Sequence, residues 1–312
     1  MEKLRTVFMG TPEFAVPCLK KLIEISNVIG VVTQPDKRQG RGQHIVFSPV
    51  KNCALENNLP VFQPEKVRNN DDFLAVLNGL KPDLIVVVAF GQILPKSVLD
   101  LPKYGCINVH ASLLPKYRGA APMQWSIING EEKTGITIML MDVGLDTGDM
   151  LLSSETIIDD DMTLENLHDK LMEGGAELLE KAVIELPQNR LTPKKQDDSI
   201  SNYAPMITKE TCRIDWKKSS RDIHNLVRGL NSWPGAYCML NNKVFKIWKT
   251  KHSDNVESGE PGEFLSESKD GIIVNTGKGT LEIIEIQAPG KKRMKIIDYL
   301  RGNTIPLHSK FS

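Results

Sequence analysis

The chain contains no run of about 18 apolar residues, so no part of it reads as a transmembrane helix. Its first residues, M-E-K-L-R-T-V-F-M-G, lack the apolar core and small-residue cleavage site of a secretory signal and read as a strand. Cysteine is sparse. Cys18, Cys53, Cys106, Cys212 and Cys238 are odd in number, scattered and never spaced C-x-x-C. That argues against a disulfide framework or a zinc site and for a reducing cytosol. Also absent are G-x-x-x-x-G-K-[ST] and a G-x-G-x-x-G after the first strand, so there is no strong nucleotide-binding signature. Overall charge is missing too, since 39 Lys and Arg balance 39 Asp and Glu.

That balance conceals an asymmetry. Residues 1–206 hold 21 basic and 27 acidic side chains, a net −6, whereas residues 207–312 hold 18 and 12, a net +6. A basic tail region suggests a polyanionic partner, with chance asymmetry or a charged interdomain contact as the alternative. At 312 residues, with 40% hydrophobic and 25% charged content, the expectation is a globular protein of two domains.

The first part alternates between strand and helix patterns. Thr6–Met9, Val28–Thr33, Leu84–Ala89, Cys106–His110 and Thr134–Met141 read as strands, and the wholly apolar L-I-V-V-V-A run marks a central one. Pro12–Ile25 has helical spacing. Ser48-Pro49 supplies an N-cap and a first-turn proline for a helix to about Asn57. Thr163–Leu186 is a long amphipathic helix with Thr163 as N-cap, and Asn166 stands where a capping box wants Glu or Gln. This order gives βαβ units and a mostly parallel α/β sheet. The Pro-bearing, polar, aperiodic stretch near 190–206 reads as a linker. One helix, Ser220–Leu230, and short strands at Ala236–Leu240, Lys243–Thr250, Gly271–Asn275 and Thr280–Gln287 follow, a pattern expected of a small β-barrel.

The chemistry concentrates between Asn108 and Asp149. Asn108 and His110 are two apart on a strand and therefore share a face. Asp146 sits on a turn between Gly144 and Gly148 that can return a carboxylate to that face. An amide donor, an imidazole and an orienting carboxylate are the parts needed for acyl transfer to an amine. Ser112–Pro122 is Pro- and Gly-rich, as expected of a rigid pocket wall, with Ser112, Lys116 and Arg118 as candidate contacts to a charged ligand. Asp142, Asp146 and Asp149 have no nearby His other than His110, and no metal is expected there.

Three loops follow strands. Gly10–Phe14 reads as an anion-binding turn or simply a tight strand-to-helix turn. Gln34–His44 carries Lys37, Arg38 and Arg41, either a clamp on phosphates or a solvated basic loop. Ala89–Pro95 offers Gly91 for close backbone approach, and its Phe90, Ile93 and Leu94 fit either a slot for a flat heterocycle or the core.

The chain resembles the methionyl-tRNA formyltransferases along essentially its full length. The resemblance rests on V-F-M-G-T-P-E-F at 7–14, V-T-Q-P-D at 32–36, G-R-G at 40–42, S-P-V-K at 48–51, the 108–122 run, G-L-D-T-G-D at 144–149 and N-S-W-P-G-A at 231–236. It implies a Rossmann-like catalytic domain over 1–189, a linker at 190–206 and an OB-like β-barrel that binds tRNA over 207–312. It implies formyl transfer from 10-formyltetrahydrofolate to methionyl initiator tRNA by a cytoplasmic monomer, without a metal. By the same resemblance, Asn108, His110 and Asp146 are catalytic. Phe90, Gly91, Ile93, Leu94, Pro95, Ser112, Leu113, Leu114, Pro115 and Asp142 hold the folate, and Lys37, Arg38 and Arg41 hold tRNA. A formyltransferase for a small amine, a folate hydrolase and an RNA-binding protein without activity are the alternatives.

Overall fold

A computed structural model describes residues 3–39, 44–255 and 257–312, with the backbone alone for 38, 39 and 44. The chain divides into two compact units: Met1–Gly119, Thr134–Thr156 and His168–Ala204 form one, and Ala120–Lys133, Ile157–Leu167 and Pro205–Ser312 the other.

The first unit is built on a seven-stranded sheet. Its spatial order is Met150–Ile157, Lys133–Leu140, Cys106–His110, Leu84–Val88, Arg5–Gly10, Asn27–Val32 and Val61–Phe62. The last five strands are parallel to one another, and Cys106–His110 meets Lys133–Leu140 antiparallel. Leu84–Val88 lies at the centre with every residue buried, as its unbroken apolar run requires. Strand order reverses about Arg5–Gly10, so the carboxyl ends of that strand and its neighbours frame the crevice where such sheets take ligands. The loops there are tied together: Thr11 Oγ1 and Gln34 Nε2 both donate to the Phe90 carbonyl, at 3.3 and 3.1 Å.

Local signals place the helices. Ser48 accepts from Lys51 N and starts the Pro49–Glu56 helix. The Leu164–Glu185 helix begins with a closed box, because Asn166 reaches back where Glu was wanted. Thr163 Oγ1 donates to Asn166 Oδ1 at 2.8 Å, and each backbone N–H meets the other side chain at 3.4 Å. Further along that helix, Gly175 leaves space for Val109 of the Cys106–His110 strand; a Cβ there would stand 3.2 Å from its methyl.

The second unit holds an antiparallel sheet in the order Ala236–Leu240, Lys243–Ser253, Thr280–Gln287, Ile272–Asn275, Phe264–Glu267, with Met294–Lys295 on Thr280–Gln287. Asn241 and Asn242, both at positive φ, make the tight turn of its first hairpin. The barrel expected from the sequence does not close by a strand-to-strand ladder among the described residues. The C-terminal tail lies along both edges instead: Ser312 exchanges backbone bonds with Met239, Phe311 N donates to Gly262 and Phe264 N to Ser309. The Ser220–Gly229 helix packs Ile223 and Val227 on this sheet. His224 and Arg228, also buried, turn to the 159–162 segment, where His224 Nε2 donates to the Asp160 carbonyl and Arg228 to those of Asp159 and Met162.

Candidate active site

The Cys106–His110 strand carries Asn108 and His110 on one face, as its alternation requires. His110 is 5% exposed, and its Nε2 lies 2.9 Å from the Tyr117 carbonyl. A carbonyl only accepts, so Nε2 bears the hydrogen and Nδ1 is the nitrogen left for chemistry. Nδ1 faces Asp146 Oδ2 at 3.7 Å, beyond hydrogen-bond range but close enough to pair with a charged ring. Asn108 is half-buried, and its side-chain amide has no hydrogen-bond partner among the described residues.

The Gly-rich turn delivers Asp146 as expected, with a backbone adjustment. Asp146 sits at φ 54, a left-handed conformation uncommon for a residue with a side chain. Gly148 is pressed so closely on the adjacent strand that a Cβ would lie 1.7 Å from the Leu140 carbonyl. Asp146 Oδ2 accepts from Gly119 N at 2.8 Å, a donor from the R-G-A-A-P loop that sequence reading did not single out.

That loop is rigid for internal reasons, and one expectation for it fails. Ser112 is fully buried and its hydroxyl donates to the Lys116 carbonyl at 2.7 Å, so it shapes the wall and does not present its hydroxyl to a ligand. Thr137 Oγ1 donates to the Ser112 carbonyl and accepts from Leu114 N. Arg118 is spent on Gln196 and Asp198. Leu113 is half-buried, Leu114 and Pro115 are buried, and Asp142 accepts from Gly144 N and Thr147 Oγ1.

In the loop after the central strand, Phe90 and Leu94 belong to the core with Val7, Met9 and Val87. They form the floor beneath the loop and are not walls of a slot. Gly91, exposed at φ 82, leaves the backbone open: the nearest atom to a Cβ there is Gln34 Nε2, at 3.7 Å. Ile93 is 69% exposed and Pro95 half-buried, an accessible apolar edge. These features fit a flat heterocycle read through backbone groups.

The basic loop begins as a short ribbon, Lys37–Gln39 paired with His44–Val46. Lys37 is exposed, Arg38 is described in its backbone alone, and Arg41 lies outside the described residues. Lys51 is engaged at the root, donating to Asp36 at 2.5 Å and Gln63 at 2.8 Å. Those bonds from Lys51 and Gln63 hold the Asp36 carboxyl below the usual range. No three His, Cys, Asp or Glu converge as metal ligands among the described residues. All five cysteines are free and buried, and burial pushes the Cys18 and Cys106 thiols up to about 12 and raises the others.

Residues 4–183 match the formyl transferase family, and residues 206–304 match the formyl transferase C-terminal domain. The methionyl-tRNA formyltransferase of Clostridium novyi is 54% identical over 98% of this chain and 99% of its own length. That of Clostridioides difficile is 53% identical over 97% and 98%. The chain belongs to the methionyl-tRNA formyltransferase family. Solved structures of more distant formyltransferases share its fold. The sugar 3N-formyl transferase WlaRD, solved with dTDP and 5-N-formyl-THF, is 22% identical over 94% of this chain and all of its own, with a TM-score of 0.69. The N-formyltransferase from Helicobacter canadensis, in complex with folinic acid and dTDP-3-aminofucose, is 20% identical over 90% and 99%, with a TM-score of 0.67.

For a member of this family, the sequence missed three parts of the site: the Tyr117 carbonyl, the Gly119 N–H and Gln196. The first two are backbone groups without a side-chain signature. Gln196 Nε2 donates to the Asp146 and Gly148 carbonyls at 2.8 Å each, from a stretch read as linker.

Proposed function

We propose that the protein transfers the formyl group of 10-formyltetrahydrofolate to the α-amino group of methionyl initiator tRNA. Family membership supports the reaction, and one observation carries the assignment of residues: His110 is tied at Nε2 and faces a carboxylate at Nδ1. A carbon–nitrogen bond forms to the amine and the bond from the formyl carbon to the folate nitrogen breaks. The amine gives up a proton and the departing nitrogen takes one.

Asn108 donates to the formyl oxygen as it gains charge, together with His110 when protonated. Asp146, beside Nδ1, stabilises the charge of the imidazolium that forms when this nitrogen takes up the proton. His110 carries the proton from the attacking amine to the departing nitrogen. No serine or cysteine nucleophile is required, consistent with thiols held protonated by burial. The backbone of 90–95, the exposed Ile93 and the 112–115 wall cradle the folate, with Asp142 nearby. Lys37, Arg38 and Arg41 clamp phosphates of the acceptor.

We assign the chemistry to residues 1–189 and the main tRNA contact to 207–312, an OB-like module whose net +6 suits a polyanion, with 190–206 joining them. The enzyme works as a cytoplasmic monomer, as the resemblance implies. The test is transfer of labelled formyl from 10-formyltetrahydrofolate to Met-charged initiator tRNA, charged elongator tRNA and glycinamide ribotide in parallel. Label on the initiator species alone is the expected result. Label on the small amine would retain the catalytic residues and overturn the tRNA reading.

A further inference from the structure

The segment that the sequence marks as a polar linker contacts the turn that carries Asp146 and the loop residues that hold His110 and Asp146. Gln196 spends both amide hydrogens on the turn that carries Asp146: one on Asp146's own carbonyl and one on that of Gly148. Its Oε1 accepts from Arg118 Nε at 3.0 Å, and Arg118 is fixed again by Asp198 at 2.7 Å. Six residues further on, the Asn202 side chain accepts from Tyr117 N and its carbonyl accepts from Arg118 N. Tyr203 and Ala204 then pair in parallel with Arg118 and Gly119.

These contacts converge on two functional atoms. Tyr117 supplies the carbonyl that holds His110 Nε2, and Gly119 supplies the N–H that holds Asp146 Oδ2. Asp146 also sits in a backbone conformation that persists only where its surroundings impose it. On one side Gly148 is jammed against Leu140; on the other, the restraint is the Gln196 amide.

We infer that Gln196 is a positioning residue for formyl transfer, setting the carboxylate of Asp146 against His110 Nδ1. The inference rests on the catalytic role proposed above for Asp146. Gln196 touches no reacting atom; its effect runs through the turn. A small displacement of an oriented catalytic group is costly, so Gln196→Ala should lower kcat about 10- to 100-fold. KM for folate and for tRNA should move less than about threefold, because neither bond from Gln196 goes to Asp142 or to another residue proposed to hold folate or tRNA. Gln196→Glu keeps the side chain's length and the acceptor for Arg118 but loses both N–H donors, and should be similarly slow.

The deciding experiment is a double-mutant cycle on kcat, with folding checked by thermal melts. If Gln196 acts through Asp146, Gln196→Ala adds nothing in the Asp146→Ala background. If its full factor recurs there, or if folded Gln196→Ala keeps kcat within about twofold, the positioning role is overturned. Should Gln196→Ala fail to fold, the same cycle with Gln196→Glu gives the same two readings. The Asp146→Ala arm separates the assumptions. Near-parental turnover in that single variant removes Asp146 from catalysis, whereas a normal loss there with an independent Gln196 effect removes only the positioning role.

Discussion

Asp146 presents one and the same oxygen, Oδ2, to Gly119 N at 2.8 Å and to His110 Nδ1 at 3.7 Å. The backbone donor anchors the carboxylate, and the gap to the imidazole is left to close when the ring is charged. Together with the bond from His110 Nε2 to Tyr117, this leaves Nδ1 as the nitrogen available for the proton transfer proposed above.

Removing either partner should therefore slow transfer without unfolding the protein. His110→Ala and Asp146→Ala should each lower turnover by about two to three decades. Single-turnover formyl transfer, alongside thermal melts, checks this. Near-normal turnover by either variant would contradict the assigned roles.

The basic ribbon should act on tRNA alone. Arg41→Ala should weaken binding of methionyl initiator tRNA and flatten its dependence on salt by about one ion, with folate affinity unchanged. Titrations at several salt concentrations measure the slope, and an unaltered slope would take Arg41 off the interface.

Stability should depend on pH through His224 in the second unit. Burial, then the Arg228 and His252 charges, lower its pKa from 6.5, against the opposing pull of the Asp160 carbonyl and Asp161. Neutral His224 is satisfied on both nitrogens, by Thr250 at 2.9 Å and Asp160 at 3.0 Å. Below pH 6.5 the unfolded chain takes up a proton that the folded one refuses. Stability from this residue is thus complete above that pH and declines as pH falls toward the lower folded value. Urea melts from pH 7.5 down to about 5 should show the decline, and His224→Gln should reduce it. An equal slope in the variant would assign the effect to other groups.

The closed box at the start of the Leu164–Glu185 helix predicts a modest loss. Thr163→Ala removes the side-chain acceptor for Asn166 N and the partner of Asn166 Oδ1. Chemical denaturation should register about 1 kcal/mol. A change near zero would mean that these exposed bonds are replaced by water without cost.

Much of the fold could be read in advance because its signals are local. The Cys106–His110 strand, the Ser48-Pro49 helix start and the Asn241-Asn242 turn lie where neighbouring residues put them. Phe90 and Leu94 show the limit: an apolar residue beside a glycine suits a slot or a floor, and only tertiary packing sends it to the core. Ser112 fails for the same reason, since its partner is a carbonyl exposed by the course of the loop itself. That Asn108 and His110 share a strand and that the Gly-flanked turn brings Asp146 beside His110 could be read from residue type and spacing. Gln196 could not, because its partners stand 50 and 48 residues earlier in the chain and are backbone carbonyls. Closure of the C-terminal strands was not legible, because strand spacing says nothing of which edges meet.

The burial of all five thiols has a practical corollary. Packed away and held protonated, they should react slowly with maleimides in the native protein. One cysteine placed on an exposed surface should then outcompete them for a fluorophore, with the native sequence otherwise intact. Placed near the exposed Lys37, such a label would give an optical test of the proposed contact with tRNA.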